Sequence, residues 1–337
     1  MLNIGIIGFG LMGRTHFNAW QKIPGAKISA ICDTIFADGK PLEEISGNIG
    51  SGNAVDLSGI DLFTDCDEML ANTDLDAVSI ALPTFLHAQF TTKAFEAGLH
   101  VLCEKPMALN PQECQAMIDA AQKYDKILQI GHCIRFWPEY VKLKEIVDSE
   151  KYGKLLFGDF YRLSANPGWT GSSWFNDEAS SGGMVLDLHI HDTDFILYLL
   201  GTPEKVNSTG STTNGIINHV QSQFFYKNQI AISAVGSWAM SEKFPFRMGF
   251  IVGLEKATIE FNSAAGEGLR IFPNDAESFI EKVSDGDGYS NEIAHFAKRI
   301  AGENVPEIIT PEGSMHTVKI TLAEKESVIN NCPVNTI

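Results

Sequence analysis

No apolar stretch in these 337 residues approaches the roughly 18 needed to span a bilayer, so a membrane-embedded protein is not expected. Basic residues are scarce. Only 25 Lys and Arg stand against 42 Asp and Glu, a formal net charge of −17, and a phosphate-backbone binder would need clustered positive charge. Neither a nucleic-acid nor a membrane partner is expected. Paired cysteine motifs are also missing: Cys32, Cys66, Cys103, Cys114, Cys133 and Cys332 are scattered, with no C-x-x-C. That usage predicts free thiols in a reducing cytoplasm. The opening Met1 to Ile7 has no basic n-region and reads as a first strand instead of a signal peptide, which also points to the cytoplasm. Internal repeats, low-complexity tracts and Pro-rich linkers are absent.

What is present is the composition of a folded protein, 44% hydrophobic and 20% charged. At ~150 residues per domain the length predicts two domains. Short continuous apolar runs at Leu2 to Ile7, Ala26 to Cys32, Ala77 to Leu82, Val101 to Cys103 and Ile127 to Ile130 suit strands buried on both faces of a parallel sheet. Helical patterns lie between them, one from Phe85 to Ala97 ending at Gly98 and another starting at Pro111 behind Asn110 as N-cap. This alternation predicts a Rossmann-type doubly wound parallel sheet over residues 1–131. The stretch from Ile35 to Gly59 has no clear period and reads as an irregular excursion. From 132 to 337 the pattern changes to consecutive strands, at Val220 to Tyr226, Gln229 to Trp238, Phe246 to Val252, Ala257 to Phe261 and Leu269 to Phe272. Two closing helices come after them, Asn291 to Ala301 and Glu312 to Ile329. The second domain is therefore expected to be α+β, with a largely antiparallel sheet covered on one face.

The chemistry begins at Gly8-Phe9-Gly10-Leu11-Met12-Gly13. A lone G-x-G-x-x-G is a weak signal, but this one follows a strand, opens a helix and has Asp33 at the end of the next strand. Gly8 would permit the tight turn, Gly10 the approach of a pyrophosphate, and Gly13 close packing of helix on strand. Asp33 would accept hydrogen bonds from the adenosine ribose and repel a 2′-phosphate, which favours NAD and leaves NADP possible. Other polar residues fall at the ends of later strands: Pro83 and His87, Glu104 and Lys105, and Arg135, all candidate cofactor contacts. His87 reads equally as a partly buried helix-start histidine. An ammonium at Lys105 beside a nicotinamide would stabilise an alkoxide or relay a proton.

A third constellation runs from Ser181 to Gly201. As one helix from Met184 to Leu200, it would place Asp187, His191, Asp194 and Tyr198 on a single polar stripe. A carboxylate one turn from an imidazole suits a general acid–base histidine. His189 and His191 would point about 200° apart on a helix, so one metal ion could not easily take both, and no metal site is expected. Trp169, Trp174 and Phe175 read either as walls of a sugar-sized pocket or as core aromatics.

These motifs in this order resemble the Gfo/Idh/MocA oxidoreductases, over nearly the whole chain. The resemblance is carried by the glycine motif, Pro83 to His87, and Ala97-Gly98-Leu99-His100-Val101-Leu102-Cys103-Glu104-Lys105-Pro106. Arg135-Phe136-x-Pro138, the Gly-Gly-x-x-x-Asp-x-x-x-His run at 182 to 191 and Ala323-Glu324-Lys325-Glu326-Ser327 complete it. The resemblance implies a Rossmann domain followed by a substrate-binding and oligomerisation domain, whose open sheet mediates homodimer or homotetramer contacts. It implies Lys105 and His191 as catalytic residues, Asp187 as a substrate-binding acid, and a cis bond before Pro106. Thr84 departs from the family's usual Asn. The expected activity is an NAD(P)-dependent dehydrogenase acting on a secondary alcohol of a sugar, cyclitol or polyol, with Lys105, Trp174, Asp187 and His191 at the substrate. A non-catalytic redox sensor, or another reaction on the same scaffold, is the alternative.

Overall fold

The computed structural model describes residues 1–38, 45–46, 51–52, 55–167 and 177–337. The N-terminal stretch alternates as expected: β1 (Leu2–Ile7), α1 (Leu11–Trp20), β2 (Ala26–Cys32), a two-residue pairing of β3 (Ile45–Ser46) with β4 (Ser51–Gly52), β5 (Asp61–Phe63), α2 (Cys66–Asn72), β6 (Ala77–Ile80), α3 (His87–Glu96), β7 (His100–Glu104), α4 (Pro111–Lys123) and β8 (Leu128–Gly131). About half of the Ile35 to Gly59 excursion, residues 39–44, 47–50 and 53–54, lies outside the described residues. Local chemistry sets the boundaries. Asn110 caps α4 by accepting from the Glu113 N–H at 2.9 Å, and Gly98 takes φ +82° just past α3.

The chain continues with α5 (Pro138–Asp148), β9 (Leu155–Ala165), α6 (Glu178–Ser181), a π-turn (Val185–His189), α7 (Ile190–Leu200), and strands β10 (Lys205–Thr213), β11 (Ile216–Phe225), β12 (Ala231–Met240), β13 (Arg247–Leu254), β14 (Ala257–Asn262), β15 (Leu269–Pro273) and β16 (Phe279–Ile280). It closes with α8 (Gly288–Ile300), α9 (Pro311–Asn330) and β17 (Val334–Asn335). Packing gathers the chain into two units. Met1–Cys133 and Gly288–His316 form the first; the second holds the remaining described chain, including Thr317–Ile337. The sequence boundary at 131/132 lies beside the first crossing, and the later return of Gly288–His316 makes the units discontinuous in sequence.

In the first unit six strands form a parallel sheet in the order β5-β2-β1-β6-β7-β8. With the small β3–β4 pairing set aside, this is the 3-2-1-4-5-6 order of a Rossmann fold, reversing between β1 and β6. Ile4, Ile6, Phe9, Phe17, Trp20, Ile31 and Leu102 share one core with Ile293 and Phe296 of α8. The Trp20 and Phe296 rings meet edge to face at 6.2 Å. Burial of each stabilises the unit by roughly 1.5–3 kcal/mol.

The second unit is built on nine strands in the order β16-β15-β14-β13-β9-β12-β11-β10-β17, antiparallel except where β9 runs parallel to β12. The expected single covered face is there: Phe160, Val220, Phe224, Ile232, Phe250, Ile259 and Ile271 are buried, whereas Phe157, Phe225, Ile251 and Phe272 are exposed on alternate positions. Tyr140 of α5 is wholly buried among Phe195, Phe250 and Phe261, with centroids 4.9, 5.0 and 5.9 Å away. β9 and β10, at the middle and near the end of this sheet, were not among the strands expected.

Candidate functional site

The first unit brings its polar residues to the carboxyl ends of the parallel strands. Gly8, directly after β1, has φ +91°, and a Cβ there would stand 2.5 Å from the Ala81 carbonyl oxygen at the end of β6. A Cβ on Gly13 would collide with the Gly8 carbonyl oxygen at 2.0 Å, so only glycine lets α1 lie this close to β1. A Cβ on Gly10 would meet nothing within 4 Å. Gly10 caps α1 without a side-chain hydrogen bond, which leaves the first-turn N–H groups around Leu11, Met12 and Gly13 available to an anion. Asp33 closes the loop from β2: its Oδ2 accepts from the Phe9 N–H at 2.5 Å and its Oδ1 from the Ile35 N–H at 2.9 Å. These features fit a dinucleotide: bare backbone for the pyrophosphate, and an acid beside it for the ribose.

Arg14 was not singled out from the sequence. It is buried beside this loop, with its guanidinium 5.7 Å from the Phe9 ring centroid, and burial lowers its pKa against the pull of Asp33. Its Nε donates to the Phe9 carbonyl at 3.4 Å, so a cation is held against the glycine loop.

At the ends of β6 and β7 a second arrangement holds Lys105. His87 is buried with Nδ1 2.8 Å from the Pro106 carbonyl and Nε2 2.9 Å from the Leu82 carbonyl, so the ring joins the two strand exits. Burial pushes its pKa down, against the two carbonyls. Pro83 starts the turn that carries it, and Thr84 is buried there. The Lys105–Pro106 bond is cis. Glu104 is buried, with Oε1 2.9 Å from His16 Nε2 on α1 and Oε2 accepting the Lys105 backbone N–H at 3.1 Å. Its carboxylate thus acts on the loop from inside the unit. Lys105 itself is half-buried.

The second unit carries the other two candidates, and here the structure corrects the expected helix. Met184 to Leu200 is not one α-helix: Val185–His189 forms a π-turn, closed by Ile190 N–H donating to the Val185 carbonyl, before α7 begins. The extra residue in that turn rotates α7 relative to Val185–His189, a shift that the 3.6-residue pattern of the sequence hides. Asp187 and His191 remain together as the only half-buried residues between Ser181 and Ile196; every other residue of that run is buried. Asp194 leaves the stripe. It receives Arg135 Nε and Nη2 at 2.8 and 2.7 Å and Thr317 Oγ1 at 2.9 Å, all buried. Arg135, expected on the cofactor crest, is thus a bidentate internal partner of α7. Tyr198 lies against the same guanidinium, its centroid 4.6 Å away.

Two further buried pairs hold this segment. Arg162 of β9 donates to Asp192 at 3.1 and 3.2 Å, and burial raises the Asp192 pKa despite that cation. His189 Nε2 lies 2.8 Å from Glu324 Oε1 on α9. Among the described residues no cluster of His, Cys, Asp or Glu has the arrangement of a metal site. No helix of the described residues is long and apolar enough to cross a membrane. All six cysteines are free thiols. Trp169, Trp174 and Phe175 lie outside the described residues.

Known proteins repeat this plan. Residues 2–132 match the family described as "Oxidoreductase family, NAD-binding Rossmann fold", and residues 140–260 match the GFO/IDH/MocA C-terminal domain. A 2,7-anhydro-N-acetylneuraminate hydratase of Mediterraneibacter gnavus is 31% identical over 214 residues, covering 60% of this chain and 52% of that protein. The match thus spans about half the length of that relative. The scyllo-inositol 2-dehydrogenase (NAD(+)) of Bacillus subtilis is 25% identical over 98% of this chain and 94% of its own. A solved levoglucosan dehydrogenase in complex with NADH and levoglucosan shares the fold, with a TM-score of 0.82 at 21% identity and 99% coverage of both chains. With both family domains matched in order, and with the glycine loop and both sheets in place, the chain belongs to the GFO/IDH/MocA family of NAD-binding oxidoreductases.

Proposed function

We propose that this protein is an NAD-dependent dehydrogenase acting on a secondary alcohol of a sugar, cyclitol or related polyol. The observation that carries the reading is the exposure pattern between Ser181 and Ile196. Asp187 and His191 alone stay half-buried there, while the neighbouring ionisable groups His189, Asp192 and Asp194 are each held by a buried partner. A segment that encloses three ionisable groups and presents an acid and an imidazole one turn apart suits proton transfer.

Gly8, Gly10, Leu11, Met12 and Gly13 would hold the pyrophosphate, Asp33 the adenosine ribose, and Pro83 the edge of the same crevice. His87 and Glu104 would support the Lys105 loop from within the first unit, and Arg135 would hold α7 from within the second. The nicotinamide, when bound, supplies a hydride acceptor for the carbinol carbon. An imidazole nitrogen of His191 takes the hydroxyl proton, the Lys105 ammonium holds the oxygen as negative charge develops, and Asp187 accepts a hydrogen bond from a neighbouring hydroxyl. Trp174 is assigned to the substrate pocket because an aromatic face packs on the C–H surface of a sugar. The protein is assigned to the cytoplasm, in keeping with its free thiols, and to a homodimer or homotetramer formed through the exposed apolar face bearing Phe157, Ile251 and Phe272.

The test is a fluorescence titration with NADH and NADPH, followed by a polyol and sugar panel read at the nicotinamide absorbance band. Tight NADH binding with reduction of NAD by any cyclitol or sugar supports the reading. Absence of binding by either nucleotide ends it. The hydratase among the relatives motivates a second reading, a reaction with no net redox change. Conversion of a sugar without accumulation of NADH would select it.

A further inference from the structure

One buried pair sits beneath the wide turn itself. His189 lies between Asp187 and His191 in sequence, yet its side chain is wholly buried where theirs are not. Glu324 engages it from α9 through Oε1 at 2.8 Å, and Glu324 Oε2 accepts from Thr193 Oγ1 at 2.7 Å. One carboxylate therefore grips the segment on both sides of His191. Behind the ring, Ser222 Oγ is 3.4 Å from His189 Nε2, and Ser208 Oγ is 2.7 Å from Ser222 Oγ, which ties the group to β11 and β10. Space for the imidazole exists because residue 236 is glycine: a Cβ there would stand 2.7 Å from His189 Cβ and 2.8 Å from its Nδ1. Burial works against the imidazolium, but the Glu324 carboxylate and Asp192 outweigh it, and the pKa of His189 is raised.

We propose that His189 and Glu324 are a positioning pair that fixes the Val185–His189 turn and so holds Asp187 and His191 at the spacing that turnover requires. The proposal rests on the dehydrogenase reading above. A π-turn is a minority geometry that a helix's own hydrogen bonds do not enforce, and such turns recur at functional sites. An anchor on a different helix, made of charge-assisted hydrogen bonds in the interior, supplies what the local sequence lacks. Its two contacts, at residues 189 and 193, bracket the catalytic position.

Two substitutions test it in the full-length protein. Glu324→Gln keeps the size of the group and removes its charge. Gly236→Ala presses on the imidazole and changes no charge. Each is expected to lower kcat about tenfold or more with the KM for NAD unchanged, and to leave NADH affinity in the fluorescence titration unchanged. Amide exchange at Ile190, whose N–H closes the turn, is expected to accelerate in both. If Glu324→Gln fails to fold, Gly236→Ala carries the same readouts with both partners intact. A folded Glu324→Gln protein with native kcat, or with native exchange at Ile190, overturns the proposal. If the native protein oxidises no polyol, the dehydrogenase reading fails by itself, and exchange at Ile190 still decides whether the pair holds the turn.

Discussion

His16 of α1 and Glu104 at the end of β7 meet at 2.9 Å in the interior of the first unit, 88 residues apart in sequence. Through this contact the helix that opens behind the glycine loop is tied to the residue preceding Lys105, because the other oxygen of Glu104 accepts the Lys105 backbone N–H. Replacing His16 by Ala leaves a buried carboxylate short of a hydrogen bond. The expected loss is about 1.5–3 kcal/mol of unfolding free energy, read from urea denaturation, together with lower turnover. Native stability in His16→Ala would show that the contact contributes nothing.

The same carboxylate gives an acid signature. Burial opposes its charge, but the hydrogen bond from His16 and the Lys105 cation outweigh it, and Glu104 is held below its ordinary value. A carboxyl whose pKa is lower folded than unfolded adds stability that is complete above about pH 4.3 and fades as pH falls through the folded value. Glu104→Gln should therefore flatten the loss of stability below about pH 4.3. Urea midpoints collected across that range make the comparison.

On the proposed mechanism the Lys105 ammonium acts chiefly on the developing alkoxide, so Lys105→Met should leave NADH binding nearly intact and lower turnover by ~10²-fold or more. Unchanged turnover would remove Lys105 from the mechanism.

The glycine loop and Asp33 were legible in the sequence because backbone geometry dictates residue type there: positive φ at Gly8 and the collision awaiting any Cβ at Gly13 leave no alternative. The spacing of Asp187 and His191 singled them out together in the sequence, and they share half-burial in a run that is otherwise buried. The π-turn was not, since nothing in Val185 to His189 departs from an ordinary apolar helix. Nor were Arg135 with Asp194, 59 residues apart, or His189 with Glu324, 135 apart; such pairs are decided by which elements the sheet brings together. The single helix expected from Met184 to Leu200 gave way to the π-turn, and Asp194 left the polar stripe for its buried partner Arg135.

Tyr140 offers a stability test independent of catalysis. Its hydroxyl is buried among Phe195, Phe250 and Phe261 without a hydrogen-bond partner among the described residues. Tyr140→Phe removes an unsatisfied group and keeps the ring, so unfolding free energy should rise by about 1–3 kcal/mol. A decrease in the denaturation midpoint would mean that the hydroxyl is satisfied in solution.

Asp33→Ser should raise the affinity for NADPH relative to NADH by about tenfold or more, since the negative charge facing a 2′-phosphate is removed. Paired fluorescence titrations give the ratio. An unchanged ratio would place the discrimination elsewhere.

The return of Gly288–His316 to the first unit sets an order of events during synthesis. All six parallel strands leave the ribosome well before α8, whose Phe296 covers Trp20 and whose Glu292 carbonyl receives Gln129 Nε2. Until that helix emerges, the nascent first unit carries an uncovered apolar patch, so its completion waits on nearly the whole chain. A shortened chain ending at residue 133 would keep the same exposed surface permanently.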